Sequence, residues 1–184
     1  MVNVYITFDT EIWLNRWGNQ LSAFDEAKAL YIDGATPSGE YGVNWLSKQL
    51  NAYNLSGVFF VESLFSRAVG VQPLSQIVHT IKNAQQDVQL HCHPEWDRDI
   101  FGVNPIIKNH NYAHLSKYTY DEQIEILKNA KMLLEKAGAN SVNAFRAGNC
   151  GANQDTIKAL FELGFNIDSS YNACCPQQHE PLKR

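Results

Sequence analysis

Short apolar runs rich in β-branched and aromatic residues alternate with stretches of helical period along most of this chain. Nearly every run stops at a charged side chain or an imidazole. The runs are Val2–Phe8, Val58–Val61 after Gly57, Asp87–His91, Val142–Phe145 and Phe165–Ser169. Between them lie a short helical stretch at Ser22–Leu30 and a longer one at Ser38–Asn54. The longer one repeats Val43, Leu46, Leu50 and Tyr53 on one face. Pro73 opens the next helix, with Leu74, Ile77, Val78 and Ile81 on one side. Thr119 and Glu122 form a capping box for a helix that runs to Ala137 and stops at Gly138. A last helix spans Asn153–Leu163 and closes at Gly164. Strand–helix alternation of this kind predicts an α/β fold with a parallel sheet or barrel and crossover helices.

In parallel α/β folds chemistry gathers at the carboxyl ends of the strands. Those ends are Asp9–Glu11, Glu62, His91–Glu95, Arg146–Asn149 and Asp168. In extended backbone, residues two apart point the same way, so Asp9 and Glu11 can reach one point. His91 and His93 share a face by the same rule, and two neutral imidazoles suit a borderline divalent metal such as zinc. Glu95 can add a carboxylate, and Cys92 faces the other way, into the core. Arg146 can hold a carboxylate with its planar fork. Gly148 and Gly151 allow close backbone approach and amide donors for an oxyanion. Residues 94–118 form a long polar and aromatic loop. Trp13, Trp17, Trp96, Tyr112 and Tyr118 either stack on sugar rings or pack beneath the loops. His79, His110, His114 and His179 read as surface or loop residues.

The length of 184 residues predicts one domain over 1–184, with an irregular tail at 171–184. A hydrophobic share of 45% excludes disorder, and no apolar run is long enough to span a membrane. A net charge of −4 argues against holding a nucleic acid by phosphate neutralisation. The first residues read as a strand rather than a signal peptide, so the expected location is cytoplasmic, or the chain is a mature or excised form. The four cysteines, at 92, 150, 174 and 175, lack metal-type spacing and fit a reduced compartment.

The order of these motifs resembles the polysaccharide deacetylases of the nodulation-protein type, carbohydrate esterase family 4. The match runs from Thr7-Phe8-Asp9-Thr10-Glu11 through Tyr41-Gly42-Val43, Val58–Val61, the His91 cluster and Phe145-Arg146-Ala147-Gly148 to Gly164–Ser170. The resemblance implies a distorted (β/α) barrel, incomplete at the C-terminal end. It implies a metal-dependent hydrolase that removes acetyl groups from a polysaccharide or amino-sugar polymer. Asp9 would be the general base, tethered by Arg146. Glu11, His91 and His93 would bind a divalent metal, Zn2+ first and Co2+, Ni2+ or Mn2+ as alternatives, with Glu95 as a substitute ligand. The backbone amide of Asn149 would be the oxyanion donor, and Asp168 would have an orienting role. The partner implied is an acetylated polysaccharide or oligosaccharide, with no nucleic acid, no membrane and no stated oligomer. The family's closing Leu-x-x-His motif has no counterpart after Ser170. Two other functions therefore stay open: a metal-dependent amidohydrolase on a small C–N substrate, and a catalytically silent carbohydrate-binding domain.

Overall fold

The computed structural model describes residues 3–13, 23–98 and 103–172. Its centre is a five-stranded parallel sheet in the order β1 (Ile6–Thr10), β4 (Gly57–Glu62), β5 (Asp87–Cys92), β6 (Ala144–Ala147) and β7 (Ile167–Asp168). The remaining strands, β2 (Ala35–Thr36) and β3 (Gly39–Glu40), form a separate antiparallel pair. The helices are α1 (Phe24–Tyr31), α2 (Val43–Ala52), α3 (Ser66–Val69), α4 (Val71–Asn83), α5 (Tyr120–Lys136) and α6 (Gln154–Glu162). Strands that follow one another in space as in sequence, with helices between, make the wall of a (β/α) barrel.

Every residue of β5 after Asp87 is buried, as a strand covered on both faces requires. Val88, Leu90 and Cys92 join the core cluster with Leu74, Ile77, Val78 and Ile81 of α4. The same cluster takes in Ile126, Leu127, Ala130 and Leu134 of α5. Both halves of the Thr119–Glu122 capping box form. The Glu122 amide donates to Thr119 Oγ1 at 3.4 Å, and the Thr119 amide donates to Glu122 Oε2 at 2.9 Å.

Several boundaries move from the sequence reading. β1 begins at Ile6, because its partner β4 begins at Gly57 and Ile6 pairs with it. Val4 and Tyr5 stay exposed, and Asp9 lies inside the strand rather than past it. The helix expected over 38–54 is shorter, since the β2–β3 hairpin precedes it and Gly39 adopts φ +140°, which glycine alone takes easily. That helix ends at Ala52, so Tyr53, expected on the buried face, is exposed. β6 starts two residues late because Gln89 Oε1 accepts from the amides of Asn143 and Ala144, at 2.9 and 2.8 Å. Residues 173–184, with Cys174, Cys175 and His179, and also Trp17, lie outside the described residues. Among the described residues no helix is long and apolar enough to cross a membrane.

Candidate metal centre

β1 and β5 deliver the acidic and imidazole groups to one place, although β4 lies between them. Glu11 Oε2 is 3.2 Å from His91 Nε2 and 2.5 Å from His93 Nε2. One donor atom from each of the three residues lies within 4.8 Å of the others. Both histidines are buried, and the Glu11 side chain is partly buried. The rings of His91 and His93 meet edge to face, 4.8 Å apart.

The surroundings select the tautomer that a metal needs. His91 Nδ1 lies 2.8 Å from the carbonyl oxygen of Arg146, so Nδ1 carries the proton and Nε2 turns a lone pair toward Glu11. His93 Nδ1 lies 3.2 Å from Glu95 Oε1. Glu95 thus stands behind His93, on the far side of the ring from Glu11, and is not grouped with the three converging donors. Gly148 makes room for this ring: a Cβ there would sit 2.6 Å from His93 Nδ1. Trp13 packs edge-on against the same imidazole at 5.1 Å.

A divalent cation fits this donor set. Two imidazoles and a carboxylate form a known zinc set, and these three residues each turn a donor atom to one place. Without metal, charge is balanced by protons. Burial pulls the His93 imidazole down, but its contacts with Glu11 and Glu95 outweigh that and raise it to about 10. Burial alone would raise the Glu11 carboxyl, but the two imidazoles hold it at about 2.

Arg146 organises the other side. Its Nη1 donates to Asp9 Oδ1 at 2.7 Å, and its Nη2 donates to Thr7 Oγ1 at 2.9 Å and Ser169 Oγ at 2.8 Å. The expected two-pronged grip on Asp9 is therefore a single bond, with the second prong shared by two hydroxyls. The guanidinium lies over the Phe60 ring at 4.3 Å. In a flat sheet β1 and β6 would be three strand spacings apart, about 14 Å. The sheet curls enough for one arginine to span that gap. Asp168 supports this bridge indirectly: it accepts from the Ser170 amide and hydroxyl, and Ser170 Oγ accepts from the Ala147 amide.

Asn149 adopts φ 53°, and its Nδ2 donates to Glu95 Oε1 and the Ala113 carbonyl, both at 3.3 Å. Of the aromatics, Trp13 and Tyr112 keep exposed surface, while Trp96 and Tyr118 are buried under the loop. His110 pairs with Glu122 at 3.2 Å, and His114 packs at Gly151.

Two buried acids were given no role by the sequence reading, although Glu62 was noted there as a strand end. Glu62, fully buried, accepts from the amides of Leu64 and Phe65 at 2.7 and 3.1 Å, and burial pushes its carboxyl up to about 8. Its strand-end position was the available signal. Asp97 is also fully buried. It pairs with Arg67 at 2.5 Å and accepts from the amides of Ile106 and Ile107 at 2.6 and 2.8 Å, so it clasps the long loop. No short-range pattern marks a partner 30 residues away.

No family model and no curated protein matches the sequence. Solved structures do match. A provisionally named polysaccharide deacetylase from Mycobacterium smegmatis aligns over 89% of this chain and 49% of its own, at 20% identity and TM-score 0.61. A family 4 carbohydrate esterase from Streptomyces lividans, in complex with acetate, aligns over 89% of this chain and 60% of its own, at 14% identity and TM-score 0.53. The chain has the fold of the family 4 carbohydrate esterases. It spans about half the length of these structures. A family 4 pseudoenzyme from Bacillus anthracis aligns more weakly, over 67% of this chain and 36% of its own, at 15% identity and TM-score 0.48.

Proposed function

We propose that this chain is a metal-dependent deacetylase that removes acetyl groups from a sugar polymer. The observation that carries the reading is the convergence of Glu11, His91 and His93, beside a carboxylate, Asp9, that Arg146 holds. Glu11, His91 and His93 would hold the cation, with Glu95 and the Arg146 carbonyl behind the two imidazoles. A divalent cation held there would supply a Lewis acid that polarises a carbonyl oxygen and makes water easier to deprotonate. Asp9, partly open to solvent, accepts the proton of the attacking water as general base. Arg146 is its positioning residue. The backbone amide of Asn149 is the assigned donor to the oxygen on which negative charge develops. Exposed Trp13 and Tyr112 give sugar rings flat apolar faces at the rim.

The test is a titration of metal-stripped protein with zinc, cobalt, nickel and manganese, followed by assay of acetate release. The substrates are chitooligosaccharides, acetylated xylan and small amides. The reading expects one equivalent of metal, lost in His91→Ala, and acetate from a glycan that disappears in Asp9→Asn. Turnover of small amides alone would make the chain an amidohydrolase of enclosed substrates. Glycan binding without turnover at full metal occupancy would make it a silent binding domain. Either result overturns the proposal.

A further inference from the structure

A cleft of about 680 Å³ lies on the outer wall between α1, α2 and α4, and none of the metal-centre residues lines it. The volume is in the range of small-ligand sites. Its two long walls match. Asn44, Lys48 and Asn51 stand one above the other on α2, and Gln76, Thr80 and Asn83 do so on α4. Between them the floor is aliphatic, made by Ile32, Val43 and Ile77. Trp45 lines the cleft with 41% of its surface exposed, and Tyr41 meets it edge-on at 5.6 Å.

The pattern of occupied and idle polar groups narrows the ligand. Asn51 is already committed, with Nδ2 donating to the Ala84 carbonyl at 3.0 Å and Oδ1 accepting from Gln86 at 2.6 Å. Lys28 is tied to Asp33 at 2.7 Å. The side chains of Asn44, Lys48, Gln76 and Asn83 have no protein partner among the described residues. Three of these four are amides, which donate and accept together. A polyanion would meet Asp33 and Glu40 on the rim with one unpaired cation, Lys48, to offset them. A purely apolar ligand would leave the amide walls unmatched. An N-acetylated pyranose satisfies all three surfaces. Its C–H face lies on the indole, its acetyl methyl on the aliphatic floor, and its hydroxyls and amide between the amide walls.

We infer that the cleft between α2 and α4 is a second glycan site, which binds a short N-acetylated oligosaccharide away from the metal centre. The inference stands on the cleft's own residues, independently of whether the metal centre releases acetate. For a protein that works on a polymer, such a site holds the chain while the other end is processed.

Saturation-transfer NMR and calorimetry on the whole metal-free chain, with tri-N-acetylchitotriose as the probe, test it. Binding is expected in the wild type. It should weaken about tenfold or more in Trp45→Ala and in the Gln76→Ala/Asn83→Ala double variant, and persist in Phe161→Ala, an exposed residue of α6 that lines neither the cleft nor the metal centre. The altered side chains all lie at the cleft surface, and unchanged melting curves confirm that each variant is folded. No binding by the wild type overturns the inference. So does a binding stoichiometry and affinity that neither cleft change alters, or that Phe161→Ala alters as much. Loss of acetate release in the wild type would sink the deacetylase reading and leave this one standing.

Discussion

Asp9 and Glu11 lie two residues apart on one strand end, yet they meet opposite surroundings. Asp9, with 41% of its side chain exposed, is held by Arg146, whose charge is permanent. Glu11, half as exposed at 21%, lies between two imidazoles, and the positive charge on that of His93 is a proton that can leave. The first carboxylate is kept in position whatever else binds. The second sits where, on the proposed reading, a metal ion would displace a proton. On the proposed reading one strand end provides both a fixed reactive group and a replaceable cation site, and the partner that reaches each carboxylate makes the difference.

The largest effect should come from removing an imidazole. His93→Ala should cut zinc affinity by more than about a hundredfold, read by calorimetry, because it deletes a donor rather than a supporting contact. Arg146→Met should leave that affinity within a few-fold of wild type and lower kcat about 10²–10⁴-fold, through a misplaced general base. If both variants lost metal equally, the division between the two carboxylates would be broken. Glu95→Gln should weaken zinc binding by about 10–100-fold, the size expected for a group behind a ligand. A loss as deep as that of His93→Ala would make Glu95 a ligand after all.

The smallest effect is on the pH dependence of the metal-free protein. The folded pKa of His93 is raised from 6.5 to about 10, so its stabilising contribution is full below pH 6.5 and lost as pH rises to about 10. Glu62 is raised from 4.5 to about 8, so the folded state holds a proton that the unfolded state has released. Its contribution also falls as pH rises, between 4.5 and about 8. Melting temperatures of stripped protein should therefore decline from pH 5 to pH 9, and Glu62→Gln should flatten the lower part of that decline. A rise across this range would contradict the assignment.

The strand–helix order and the chemistry at the strand ends were legible because both rest on short-range patterns. Apolar runs, a capping box and residues two apart on a strand carry their meaning locally. The register was less legible. β1 starts where Gly57 gives it a neighbour, and β6 starts where Gln89 releases the backbone. Both are decided by residues far away in sequence. The role of Glu95 needed the structure for the same reason: spacing allows it on either side of His93, and only the packing of Gly148 and Asn149 puts it behind the ring. The Arg67–Asp97 clasp had no local signature at all.

The span of Arg146 has a consequence for the order in which the molecule becomes competent. Its partners Thr7, Asp9 and Ser169 stand 139, 137 and 23 positions away along the chain. They meet only once the sheet has rolled up. Glu11, His91 and His93 need no more than the first three neighbouring strands. On the proposed reading, a half-assembled molecule would thus already sequester a divalent cation while its proton acceptor still swung free, and metal content would overstate the fraction of working protein.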